Sequence, residues 1–178
     1  MRLPTAVALA VVMFLVLAPC TAAQPMHDAA AEGDLDRVLE LLKQNVDVNQ
    51  PNQDGWTPLQ EAAARHYEEV AKALLDAGAN MDHQNHDGWT PLHEAAARGL
   101  MDTTRLLVEH GASMAIKNKD GDTALHVAAS HHMADICRFL LEAGADAEAI
   151  NNDARKPHAM AYDNTKEVFA AHKRKPEL

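Results

Sequence analysis

Aromatic residues are scarce in this chain: Phe, Tyr and Trp make up 4% of its 178 residues. A globule with a central core draws heavily on aromatics for buried area, so a core of Ala and Leu between closely packed short helices is expected instead. Net positive charge is missing as well. The formal charge is −10 at pH 7, which excludes the basic footprint that a nucleic-acid backbone demands and weakly favours basic partners. The only serines are Ser113 and Ser130, and neither sits in a nucleophile elbow. A phosphate-cradling glycine loop and an Asn-x-Ser/Thr sequon are both absent. There are two cysteines, Cys20 and Cys137.

There is a single long apolar run. Ala6 through Ala18 is uninterrupted over 13 residues, follows Arg2, and leads into Pro19-Cys20-Thr21-Ala22-Ala23. That is the layout of a secretory signal peptide, with Thr21 and Ala23 at the −3 and −1 positions, and the run is short for a bilayer span. An uncleaved anchor is one alternative. Lipidation of Cys20 in Leu17-Ala18-Pro19-Cys20 is another, against which stands a proline where a small residue belongs. Cleavage after residue 23 removes Arg2 and takes the charge from −10 to −11. It also leaves Cys137 without an intramolecular partner, so the exported chain, periplasmic or secreted, must be stable by packing alone.

What the chain does have is self-similarity at a fixed period. Asp54-Gly55-Trp56-Thr57-Pro58-Leu59-Gln60-Glu61-Ala62-Ala63-Ala64-Arg65 returns 33 residues later as Asp87 through Arg98, changed only at Gln60 versus His93. A third copy starts at Asp120-Gly121 and reaches His131. The leucine pairs Leu41-Leu42, Leu74-Leu75 and Leu140-Leu141 keep step, with Leu107-Val108 between them. Thr57 and Thr90 stand where a helix N-cap is wanted, with Pro58 and Pro91 at the first helical position. Gly33 and Gly99 break the two helices of a unit, and His66 and His132 take that place elsewhere; histidine tolerates positive φ better than most residues. Gly78, Gly111 and Gly144 end the second helix, with Asn45 substituting in the first unit. The Asp-Gly pairs mark tight turns.

The Thr90-Pro91-Leu92-His93-Glu94-Ala95-Ala96 pattern at this period resembles the ankyrin repeat, over roughly residues 25–172. The resemblance implies an all-α solenoid of about five helix–turn–helix units joined by hairpin-like loops. The units are about 25–51, 52–84, 85–117, 118–150 and 151–174, within a repeat domain of 24–174; 1–23 is the signal peptide and 175–178 a tail. The fifth unit is degenerate, with Ala154 for the turn glycine and His158 for the helix leucine. Atypical terminal units are what a solenoid needs, because each repeat buries its apolar face only against its neighbours.

The resemblance also implies a non-catalytic module that binds a partner protein on its concave face, acting as a monomer, with no cofactor and no membrane insertion once the leader is gone. The candidate contact residues at the loop tips are Gln53, Trp56, His86, Trp89, Lys119 and Asp122. Arg65, Arg98 and His131 join them from the ends of the first helices. Trp56 and Trp89 occupy one position in successive units; they either anchor the partner, as Trp often does, or brace their own loops. His93 is expected to hydrogen-bond a neighbouring loop, as is His126. An alternative function is an accessory envelope factor for stress or for metal or redox handling, using surface histidines or Cys137. Against a metal site, His93-Glu94-Ala95-Ala96-Ala97 lacks the second histidine of a zinc helix, and His83 stands where a calcium loop needs aspartate. Cys137 replaces an aliphatic residue and is expected to be buried.

Overall fold

Threonine side chains start the first helix of each middle repeat, and the residue three places on completes the cap. Thr57 N–H donates to Gln60 Oε1 at 3.0 Å, while Gln60 N–H reaches Thr57 Oγ1 at 3.4 Å. His93 and His126 play the same part through Nδ1, accepting from Thr90 N–H and Thr123 N–H at 3.2 Å each. Two orphan amides are thereby satisfied per helix. The computed structural model describes residues 25–173. The expected leader, 1–23, and the tail, 175–178, lie outside the described residues.

Ten helices follow in pairs, and there is no strand among the described residues. The pairs are α1 (Pro25–Glu32) with α2 (Leu35–Lys43), α3 (Pro58–Ala64) with α4 (Glu68–Asp76), and α5 (Pro91–Arg98) with α6 (Met101–Glu109). Then come α7 (Ala124–Ser130) with α8 (Ala134–Glu142), and α9 (Pro157–Met160) with α10 (Asp163–Lys173). The first helix of each pair packs on the first helix of the next, and the second helices form a parallel row behind. This is the expected solenoid, with the main contacts running between neighbouring pairs. Ala29, Ala62, Ala63, Ala95, Ala96, Ala128 and Ala129 are fully buried, so the first-helix row packs more closely than the second.

The apolar columns continue through the second helices. Leu74, Leu107 and Leu140 are each fully buried, as is Cys137. The breaks between paired helices adopt the left-handed backbone expected of them, with φ of 72° at Gly99, 64° at His66 and 62° at His132. The loops leave no room for a side chain at one tip position. A Cβ on Gly88 would sit 2.9 Å from Lys119 N, because that amide donates to Asp87 O at 3.1 Å. His86 N–H to Asp54 O and Asn152 N–H to Asp120 O repeat the same step along the tips.

Candidate functional site

An asparagine directs each loop. Asn52 Oδ1 accepts from Asp54 N–H and Trp56 N–H, both at 2.9 Å. Asn85 does the same for Asp87 and Trp89, and Asn118 for Asp120 and Asp122. The carbonyl end of the loop is then fixed from the neighbouring repeat. Gln60 Nε2 donates to Trp89 O at 2.7 Å, and His93 Nε2 bonds Asp122 O at 3.0 Å. Because His93 Nδ1 accepts from Thr90 N–H, the proton sits on Nε2, which donates. His126 likewise bonds Arg155 O at 3.0 Å. These histidines are therefore structural ties between loops, as the sequence led us to expect. Burial holds both imidazoles below the ordinary histidine pKa.

Both tryptophans border the first-helix side of the stack, and the loop of Trp89 is also tied at its carbonyl end by Gln60. Both indoles are half-buried. Trp89 leans on the His93 ring, with centroids 6.1 Å apart, so part of its role is to brace its own repeat. The remaining indole surface borders a hollow. A cavity of about 350 Å³ is lined by Asn52, Asp54, Trp56, Glu61, Ala64, Arg65 and Arg98. A second, of about 340 Å³, is lined by Asn85, Asp87, Trp89, Glu94, Ala97, Arg98 and His131, with Trp56 closing its far side. Adding 33 to each residue of the first cavity gives the second. The site is one pocket built twice, and Trp56 and Arg98 are common to both copies.

The two pockets are charged at the base and at the rim. Glu61 pairs with Arg65 at 3.2 Å, and Glu94 with Arg98 at 3.5 Å, each one helical turn apart. The arginines are about half exposed, whereas the Glu94 side chain is 8% exposed. Burial raises the Glu94 carboxyl above the usual carboxylate range; Arg98 opposes this, and the nearby charges of Glu61 and Asp87 add to it. Asp54 and Asp87, on the exposed tips, have no ion-pair partner among the described residues.

Of the nine residues singled out from the sequence, Trp56, Arg65, Trp89, Arg98 and His131 line this double pocket. The other four do not. Gln53, His86 and Lys119 are exposed on the loop tips beside it. Asp122, in the tryptophan register of the next repeat, is half-buried and accepts from Asn151 Nδ2 at 2.7 Å. The carboxylates were not anticipated, although Glu61 and Glu94 lie inside the duplicated block; their recurrence in phase was the available signal.

The opposite side of the stack carries larger hollows, of about 520 and 460 Å³, between α6, α8 and α10. They are grooves left by the looser packing of the second helices, with Arg105 stacked over Phe139 at 4.8 Å in one of them. Among the described residues no three His, Cys, Asp or Glu side chains converge as metal ligands, and His83 spends Nε2 on Gly55 O at 3.0 Å. Cys137 is buried, and burial pushes its thiol up to about 12. No described helix is long and apolar enough to cross a membrane.

Compared with known proteins, the chain matches the family model for ankyrin repeats (3 copies) over residues 8–85 and 74–151. None of the curated proteins matches it.

Proposed function

The chain belongs to the ankyrin-repeat family, whose repeats are generic protein–protein interaction modules, and from that premise we propose that it binds a partner protein on the inner, first-helix side of the stack. The observation that carries this reading is the pocket repeated at Trp56 and Trp89. It combines the large indole surfaces that dominate interface energies with exposed arginines at the rim. Repeats of this family are typically non-catalytic, and the reading includes no catalytic role.

The reading also includes export. The Ala6–Ala18 run and the small residues after it support removal of residues 1–23. The family match reaches back to residue 8, while the first described helix begins at Pro25. N-terminal sequencing of the protein from its native source tests this part: Gln24 as the first residue supports it, and an intact Met1 or Arg2 sinks it.

Affinity capture tests the binding surface. The chain and its Trp56→Ala, Trp89→Ala double variant serve as parallel baits, both checked for helical content. A protein held by the first and lost by the second bears the reading out. A protein held equally by both removes the pocket from consideration.

A further inference from the structure

The chemistry of the repeated pocket, together with its spacing, indicates what kind of segment it accepts. Each arginine in it is already engaged, Arg65 by Glu61 at 3.2 Å and Arg98 by Glu94 at 3.5 Å. The carboxylates outnumber them. Across both cavities four carboxylates (Asp54, Glu61, Asp87, Glu94) face two guanidiniums, leaving two negative charges unmatched with histidine neutral. Asp54 and Asp87 are the unpaired pair, at equivalent tip positions. Beside them stand Trp56 and Trp89, whose ring faces attract cations. The sign of the whole chain agrees, at −10, and would steer a cationic partner towards it.

Spacing adds a second constraint. Successive first helices pack at roughly 8–10 Å, so equivalent points in the two pockets are separated by about that distance. An extended chain in the polyproline II conformation advances about 3.1 Å per residue with three residues per turn. Side chains three residues apart then emerge on one face about 9 Å apart.

We infer that the repeated pocket receives an extended basic segment of the partner, in which two Lys or Arg side chains three residues apart enter the Trp56 and Trp89 pockets together. This rests on the concave-face reading above. Each cation meets an indole face and a tip carboxylate, Asp54 in one pocket and Asp87 in the other. The engaged arginines confine it to the inner part of each pocket. An acidic segment would meet two unpaired carboxylates and two arginines already occupied, which disfavours it.

The chain's only tryptophans are Trp56 and Trp89, so intrinsic fluorescence of the full chain reports on the site directly. The probes are proline- and alanine-based peptides carrying two arginines separated by two, three or four positions, a single-arginine peptide, and one with two glutamates three apart. The three-position diarginine peptide should bind about tenfold tighter than the single-arginine one, since the second contact is intramolecular. It should outbind the other spacings, and weaken as salt is raised. Asp54→Asn and Asp87→Asn, both exposed changes, should each weaken it about twofold to fivefold with the helical signal unchanged. Tighter binding of the glutamate peptide, equal affinity at every spacing, no loss in the asparagine variants, or no response to any peptide overturns the inference. The capture experiment separates the two failures. A partner lost by the Trp56→Ala, Trp89→Ala bait preserves the concave-face reading while the basic segment falls; a partner retained by that bait sinks both.

Discussion

The second and third repeats and the fifth are built on the same plan with different tolerance for error. In the middle, glycine occupies the loop tip, leucine the first helix and histidine or glutamine the inter-repeat tie. In the fifth these places hold Ala154, His158 and Ala159, and the first helix shrinks to α9, four residues long. Yet the loop closes in the same way. Asn151 Oδ1 accepts from Asp153 N–H at 3.1 Å and Arg155 N–H at 2.9 Å, as Asn52, Asn85 and Asn118 do in their loops. Ala154 is forced to φ 57° to permit it. The lesson is that the asparagine specifies the hairpin, while glycine removes strain from it and, where another loop packs against the tip, leaves room for that loop's backbone. The helix has the opposite dependence: without its leucine and tie residue it shortens at once.

The largest expected effect lies in the leucine column, which is continuous through the middle and runs out at Lys173. Leu107→Ala should cost about 2–5 kcal/mol, as for a fully buried leucine, measured by urea unfolding. Leu41→Ala, at 9% exposure and with a repeat on one side only among the described residues, should cost clearly less. Equal losses, or a Leu107→Ala loss below about 0.5 kcal/mol, the range of surface changes, would break the distinction between middle and end. Next comes the asparagine. Asn85→Ala leaves two backbone amides without their acceptor and should cost about 1–3 kcal/mol. A negligible change would return the credit to glycine.

The tie residues sharpen the comparison through pH. His93 and His126 accept a threonine N–H at Nδ1, which requires the neutral ring, and burial lowers their pKa. The unfolded value is about 6.5. The stability they supply is complete above that value and is lost as pH falls through the lowered folded values. Gln60 performs the same two contacts without titrating. His93→Gln with His126→Gln should therefore hold stability at pH 7.5 within about 1 kcal/mol per site, the worth of a hydrogen bond. It should also flatten the decline as pH falls below about 6.5. An unaltered decline would place the acid sensitivity in other groups. The smallest effect is at the degenerate end. Ala154→Gly relieves left-handed strain of about 1–2 kcal/mol against an entropic cost of about 0.5–1. The net gain should lie between about 0 and 1.5 kcal/mol, and a loss would mean that the fifth loop is not strained.

Much of this was legible from the sequence alone, because a solenoid repeats its local rules. The threonine caps, the proline starts and the histidine ties all belong to segments of a few residues, and their period carried them into three dimensions. Trp56, Trp89, Arg65, Arg98 and His131 were placed on one surface by that same periodicity. The asparagine was overlooked because its bonds run to its own loop two and four residues on, a closure that no helical or strand pattern betrays. It was nonetheless in phase, at 52, 85, 118 and 151. Glu61 and Glu94 were passed over for a different reason. On a short helix a glutamate four residues before an arginine looks like a surface ion pair, and only packing against the next loop makes it the wall of a cavity.

Cys137 gives the stack a chemical record of its own opening. Its sulfur is buried and its proton is held to about 12, so in the closed state neither access nor ionisation permits alkylation at neutral pH. Modification then proceeds only during excursions that separate the fourth repeat from a neighbour. The rate at which the peptide containing Cys137 gains alkyl mass thus measures how often that part of the solenoid comes apart. A partner bridging the second and third repeats should leave this rate nearly unchanged, whereas one reaching across the fourth should slow it. Thiol labelling would in that way map the length of the bound footprint along the stack.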